Sequence, residues 1–271
     1  MSSLAAAQFT GDIPRFYDQH LGPVIFEPYA ADLARRAAAL KPSAVLEIAG
    51  GTGVSTVALR AALPAAARIV ATDLNQAMLD ISQAKFGATT NIEFRQADAM
   101  ALPFENEAFD LIAIQFGVMF FPDRPAAYAE ARRVLKRGGT LLFNVWGAMA
   151  ANAFAEIANA TAIKFFPENP PKFYLVPFGY ADNQQVYADL KAGGFSEVSH
   201  EVVRVAQTTP DWRHFARGLI YGNPMIADIQ ASKTVKADDM VDAIAAQLEG
   251  RLGPAPAKLP LEATVYAARK T

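Results

Sequence analysis

Residues 45–53 read Val-Leu-Glu-Ile-Ala-Gly-Gly-Thr-Gly, and the fold follows from this stretch. Ala44–Ala49 reads as a buried strand, and Thr52–Leu63 as a helix closed by Pro64. The strand therefore runs through a glycine turn directly into a helix. Glycines permit positive φ and close backbone approach, while a helix start presents unpaired N–H groups. A plain strand-to-helix turn needs one glycine, whereas Gly50, Gly51 and Gly53 fall within four residues. Such turns, at the carboxyl ends of strands, are where open α/β sheets bind nucleotides.

Outward from that turn, short apolar runs alternate with amphipathic stretches. Arg68–Thr72, Ile92–Gln96, Phe109–Phe116 and Thr140–Trp146 read as further strands. Helices are expected over Asn75–Phe86, with Asn75 as N-cap, and over Pro125–Lys136, ending at Gly138-Gly139. This alternation predicts a doubly wound α/β sheet, mostly parallel and covered on both faces. After residue 147 the rhythm changes, and Phe165–Tyr180 holds six aromatics and four prolines. Asp182–Ala192 then reads as a capped helix, and Glu197–Val205 and Leu261–Ala268 as the last two of seven strands, paired antiparallel at the sheet edge. The expected organisation is N-terminal lid helices (1–43), a nucleotide-binding core (44–147), a lid insert (148–181), a core helix and strand (182–205), a second, helical lid insert (206–258) and a final strand (259–271).

Composition narrows the function. The 271 residues are 52% hydrophobic and 19% charged, which suits a globular chain and excludes disorder and coiled coil. Basic and acidic residues number 25 and 27, evenly spread: 13 and 14 lie in 1–147, leaving 12 and 13 in 148–271. No basic half or tail offers a footprint for nucleic acid or anionic membrane. With no cysteine there is no disulfide, thiolate chemistry or Cys-ligated zinc, and His20, His200 and His214 are too scattered to predict a metal site. The opening MSSLAAAQFTGD lacks a basic region ahead of its four-residue apolar run, and no run approaches a membrane span, so a cytoplasmic protein is expected.

Three strand ends carry carboxylates: Glu47, Asp73 and Asp98. Surface solvation does not predict that all three fall on one edge. Asp73, twenty residues after Gly53, suits a bidentate contact to ribose hydroxyls, and it suits capping the following helix equally well. Together VLEIAGGTG, ATDLNQAML, ADAMALPFENEAFDLI and RRVLKRGGTLLF resemble the class I S-adenosylmethionine-dependent methyltransferases. The nearest likeness is to the small-molecule branch related to the ubiquinone/menaquinone C-methyltransferases, in order and at family spacing over 44–147. The resemblance implies S-adenosylmethionine as cofactor. It implies that Glu47, Ala49, Gly50, Gly51 and Gly53 line its methionine end and Asp73 holds the ribose. Leu74 and Met78 would flank adenine, Asp98 and Ala99 would contact its edge, and Gln115 and Phe116 would border the reacting methyl. Ala49 departs from the family, which has its first glycine there. Residues 11–29 resemble the lid segment of such enzymes, with Tyr17 covering the cofactor, although an amphipathic helix packing on the core explains them equally well.

Methyl transfer from a sulfonium is an in-line displacement that needs alignment and exclusion of water more than a catalytic side chain. No catalytic residue stands out; His214 and Tyr221 are the candidates, with Asn144, Trp146 and Tyr221 as groups that orient the acceptor. The inserts should supply the acceptor pocket: Phe120, Trp146, Phe165, Phe173, Tyr174, Phe178, Trp212 and Tyr221. Such a lining suits a small apolar or aromatic acceptor, or a cation over aromatic faces. The Tyr187/Lys191 pair and the glycine turn together raise a nicotinamide oxidoreductase as an alternative, but the third glycine of G-x-G-x-x-G is missing. Asn169-Pro170-Pro171-Lys172 resembles a loop of nucleic-acid amino-methyltransferases, but lies after the wrong strand and lacks the aromatic. A non-catalytic cofactor-binding protein is the third reading.

Overall fold

A computed structural model describes residues 8–87 and 91–271. The segment 1–7, on which the expectation of no secretory leader partly rests, lies outside the described residues. Five parallel strands form the core: β1 (Ala44–Glu47), β2 (Arg68–Asp73), β3 (Ile92–Gln96), β4 (Phe109–Gln115) and β5 (Leu135–Trp146). Two long strands, β6 (Glu197–Thr209) and β7 (Ala257–Arg269), complete a seven-stranded sheet in the order β3-β2-β1-β4-β5-β7-β6. β7 runs antiparallel to both β5 and β6, so the expected antiparallel edge is present. It is a doubly wound, Rossmann-like α/β sheet.

Successive side chains on a strand face opposite sides, and on the central strands β1, β2, β4 and β5 both sides are buried. Along β1, Val45 joins Ile69, Leu111 and Leu142 under Leu33 of α2 (Glu27–Ala39) and Leu59 of α3 (Val54–Ala62). Leu46 faces the other way, into the larger core. That core is covered by α4 (Gln76–Ala84), α5 (Arg124–Val134) and α7 (Asn183–Ala192), through residues such as Met78, Tyr128 and Leu190. Before α2, the short α1 (Ile13–Phe16) leads into a π-helical stretch, Tyr17–Phe26, which has Pro23 inside it. Its cover comes from α8 (Trp212–Tyr221), while α10 (Ala237–Leu252) packs on α8 and on α6 (Ala153–Phe165). Met225–Ala231 forms α9 between them. Among the described residues no helix is long and apolar enough to cross a membrane.

Three boundaries differ from expectation by more than two residues. β5 begins at Leu135, five residues early, because Gly138-Gly139 marks a bulge within the strand rather than a helix end. Phe109 pairs with Leu135 and Leu111 with Thr140, so the residues between loop outward, with Gly138 at φ +78°. β6 runs on to Thr209 and β7 starts at Ala257, so 206–209 and 257–258 belong to the sheet and not to the second insert. That extension carries Ala-Gln-Thr-Thr opposite Lys258 and Pro260, with no apolar alternation to betray it. Asn75 occupies the N-cap of α4 but its side chain makes no cap bond there; the Asp73 carboxylate accepts from its N–H instead.

At the amino ends of the strands, Asp110 ties β4 to its neighbours. It accepts from Ser43 N, Ser43 Oγ, Ala44 N and Lys136 Nζ at 2.6–2.9 Å. Although burial alone would raise its pKa, Lys136 and the Ser43 and Ala44 donors hold it well below the usual carboxylate range. Its contribution is therefore complete above the ordinary carboxyl pKa and fades as pH falls through the depressed one. Asp110→Ala should cost about 2 kcal/mol at pH 7, with the gap to the parent narrowing in acid. Denaturant titrations at pH 7 and pH 3 measure both; an unchanged gap contradicts the assignment.

Candidate functional site

Strand order reverses between β1 and β4, and the crevice outside their carboxyl ends is where such sheets take ligands. The turn leaving β1 is fixed from both sides. Ile48 N donates to Ala113 O on β4 (3.0 Å), and Gly50 N donates to Thr72 O on β2 (2.8 Å). Thr72 Oγ1 donates to Glu47 O. Ala49, Gly51 and Gly53 all have positive φ, at +55°, +57° and +87°. For Ala49, a residue with a Cβ, this costs about 1–2 kcal/mol, so the glycine that the family pattern has there is replaced at the expense of strain. The loop after β4 makes room: a Cβ at Gly117 would lie 2.6 Å from that of Ala49.

Asp73, at the end of β2, is 7% exposed. Its carboxylate accepts from Gly51 N (2.9 Å) and Asn75 N (2.8 Å), joining the glycine turn to the start of α4. Burial raises its pKa against the opposing pull of those donors. Asn75 Nδ2 also donates to Oδ1 at 3.3 Å, so of the four or so acceptor positions on a carboxylate about one is left for a ligand. Glu47 lies behind the turn and is 1% exposed, with Ser55 Oγ and Thr56 Oγ1 donating to its two oxygens. Burial, aided by the charge of Asp73, pushes its pKa up to about 7 despite those two donors.

A cavity of about 240 Å³ opens along this edge. Ala49, Gly51, Asp73, Leu74, Met78, Asp98, Ala99, Gln115 and Phe116 line one end, with Tyr17 above. Phe120, Trp146, Phe173, Tyr174 and Phe178 line the remainder. Glu47, Gly50 and Gly53 are not in the wall. A Cβ on Gly50 would meet Glu47 Oε2 at 3.2 Å, and one on Gly53 would strike Ser82. These residues shape the turn from behind. Phe165, Trp212, Tyr221 and His214 also lie off the wall. Trp212 Nε1 donates to Gly253 O, the Tyr221 hydroxyl donates to Asp238, and His214 packs its ring on His20 with centroids 4.0 Å apart. Tyr187 pairs with His200 and, like Lys191, stays off the cavity. Asn169 to Lys172 is off it as well.

The sequence left several lining residues unmarked. Phe9, Ile25 and Phe26 come from the N-terminal segment, Phe154 from α6, and Leu219, Gly222 and Asn223 from the end of α8. The Gly222-Asn223-Pro224 turn was the available signal for the last of these. There the Asn223 amide donates to Leu219 O and accepts from Met225 N. Tyr174 also donates to Leu219 O. Among the described residues the cavity wall contains no Lys, Arg or His, and no group of three or more side chains could hold a metal ion.

The chain is similar in sequence to known methyltransferases. The ubiE/COQ5 methyltransferase family profile matches residues 25–167. A ubiquinone/menaquinone biosynthesis C-methyltransferase UbiE from Marinomonas sp. (strain MWYL1) is 34% identical over 126 residues, 45% of this chain and 50% of that protein. The UbiE of Allorhizobium ampelinum is 34% identical over 168 residues, 57% of this chain and 65% of that one. The matched region thus spans half to two thirds of these relatives. Phosphoethanolamine N-methyltransferase 2 of Haemonchus contortus, solved with S-adenosyl-L-methionine, superposes with a TM-score of 0.61 at 18% identity, over 98% of this chain and 59% of that one.

Because the folded-state pKa of Glu47 lies near 7 and its ordinary value is 4.5, the folded protein keeps a proton that the unfolded chain releases. Stability should therefore fall as pH rises between those values. Glu47→Gln removes the fall. It should match the parent near pH 4.5 and exceed it by about 3 kcal/mol at pH 8 in denaturant titrations. A parent as stable as E47Q at pH 8 would show that the carboxyl ionises there without cost.

Proposed function

This chain belongs to the ubiE/COQ5 methyltransferase family, and from that premise we propose that it transfers a methyl group from S-adenosylmethionine to a small apolar or aromatic acceptor. The observation that carries the reading is the buried Asp73 carboxylate. It faces the cavity from the end of β2, is braced by the N–H of Gly51, and keeps an acceptor position on that side. The rest of that end fits the group. Positive φ at Gly51 keeps the turn backbone close, Leu74 and Met78 offer apolar faces, and Gln115 Oε1 is buried without a partner among the described residues.

In this reading Gly51 and Ala49 receive the methionine end, Asp73 the ribose hydroxyls, and Leu74 and Met78 the adenine, with Asp98 and Ala99 at its edge. Glu47, Gly50 and Gly53 hold the turn in shape. When bound, the cofactor supplies an electrophilic methyl on a positively charged sulfur. The protein's own work is to align the acceptor and exclude water. Gln115 and Phe116 border the methyl, Tyr17 closes over it, and Phe120, Trp146, Phe173, Tyr174 and Phe178 receive the acceptor. Tyr17 and Tyr174 stay protonated, since burial pushes both phenols far up. A wall without cationic side chains favours an acceptor that carries no phosphate or carboxylate. Phe165, Trp212 and Tyr221 serve the lid's own packing, and His214 lies off the wall against His20.

Titration calorimetry with S-adenosylmethionine and with NAD tests the reading. Binding of the first and not the second is expected, and tight binding of NAD alone would overturn it. Asp73→Ala should weaken S-adenosylmethionine binding by about 1–3 kcal/mol, the worth of a charge-assisted contact. Unchanged affinity would remove the ribose assignment.

A further inference from the structure

We propose that Asn144 is a positioning residue. By one hydrogen bond it holds Phe116 in a left-handed backbone conformation, and so sets the aromatic wall where acceptor and methyl meet. The proposal rests on the cavity reading given above.

Asn144 lies on β5, opposite Gln115, the last residue of β4. It is fully buried. Its Oδ1 accepts from Phe116 N at 2.9 Å, immediately past the strand. Phe116 has φ +50°, a conformation that bulky L-residues avoid and that persists only where its surroundings over-determine it. The bend has a visible result. It lays the Phe116 ring on Trp146, with centroids 4.0 Å apart and planes within 11°, and both rings line the cavity.

Sheet pairing alone does not explain this side chain. The β4–β5 ladder closes through backbone groups, and an apolar residue would fill the same space. The amide instead brings a buried Nδ2 that finds no partner among the described residues, an unfavourable choice unless its oxygen is needed. That oxygen satisfies the Phe116 N–H, which lies just past the last ladder pair. The bend also leads straight into Gly117, whose α-carbon abuts Ala49 of the glycine turn. Phe116 therefore stands between the cofactor end and the acceptor end, and Asn144 holds it from below.

The test uses Trp146 as reporter. The chain has two tryptophans, and Trp212 lies off the cavity, so a Trp212→Phe background leaves one signal. In it, Asn144→Leu should shift Trp146 emission and its near-ultraviolet circular dichroism, and weaken S-adenosylmethionine binding by about tenfold. Asn144→Asp, which keeps the acceptor oxygen, should restore the Trp146 spectrum. Phe116→Gly removes the backbone penalty, so adding Asn144→Leu to it should change affinity less than about twofold. Should Asn144→Leu alone fail to fold, the double variant is expected to fold. The proposal is overturned if Asn144→Leu leaves spectrum and affinity unchanged. It is equally overturned if the double variant loses as much as the single one, or fails to fold. A parent that binds no S-adenosylmethionine, yet shows the spectral shift and its rescue, would instead refute the cofactor reading and leave the Asn144 linkage standing.

Discussion

The contact between Ala49 and Gly117 is the constraint on which the site depends. Two backbone turns with left-handed residues, one leaving β1 and one leaving β4, meet where the strand order reverses. Neither has room to relax. Ile48 and Gly50 are bonded to β4 and β2, and a side chain at Gly117 would overlap Ala49. Strain of this kind is stable only when the sheet beneath is rigid, and here β1 and β4 are buried on both faces. The result is a crevice whose turn end is shaped by backbone.

Charge is handled in the same economical way. Glu47 and Asp73 are both buried near the turn, and among the described residues no cationic side chain pairs with either. Hydroxyl and amide donors satisfy them instead. Burial raises both pKa values, so each carboxylate sits in surroundings that would gain from a nearby positive charge. A cationic sulfonium ligand supplies such a charge, whereas an anionic one would worsen the balance.

The sequence carried the sheet and the cofactor end because both are local. Glycines at fixed offsets, an acid at a strand end and period-two apolar runs are written into consecutive residues. Strand pairing hid where it lacked such a pattern. The Gly138-Gly139 bulge looked like a helix stop because either feature wants a flexible residue, and only the register of β5 against β4 distinguishes them. The acceptor end was harder still. Phe9 and Phe154 reach one wall from two distant segments, and nothing in their neighbourhoods separates a lining residue from a packing one. Trp212 and Phe165 show the converse, since aromatic residues in a lid insert serve the lid's own core equally well.

The same geometry sharpens what the aromatic residues do. Eight of the 18 phenylalanines line the cavity: Phe9, Phe26, Phe116, Phe120, Phe121, Phe154, Phe173 and Phe178. Many of their faces are already occupied. Trp146 stacks with Phe116 and with Phe178, and meets Tyr29 and Phe154 edge-on. Phe120 stacks with Phe173, and Tyr17 with Phe26. A cation over an aromatic face needs that face free, and here these faces are already covered by neighbouring rings. Interlocking also makes each ring depend on its neighbours, so displacing Phe116 moves the wall as a unit.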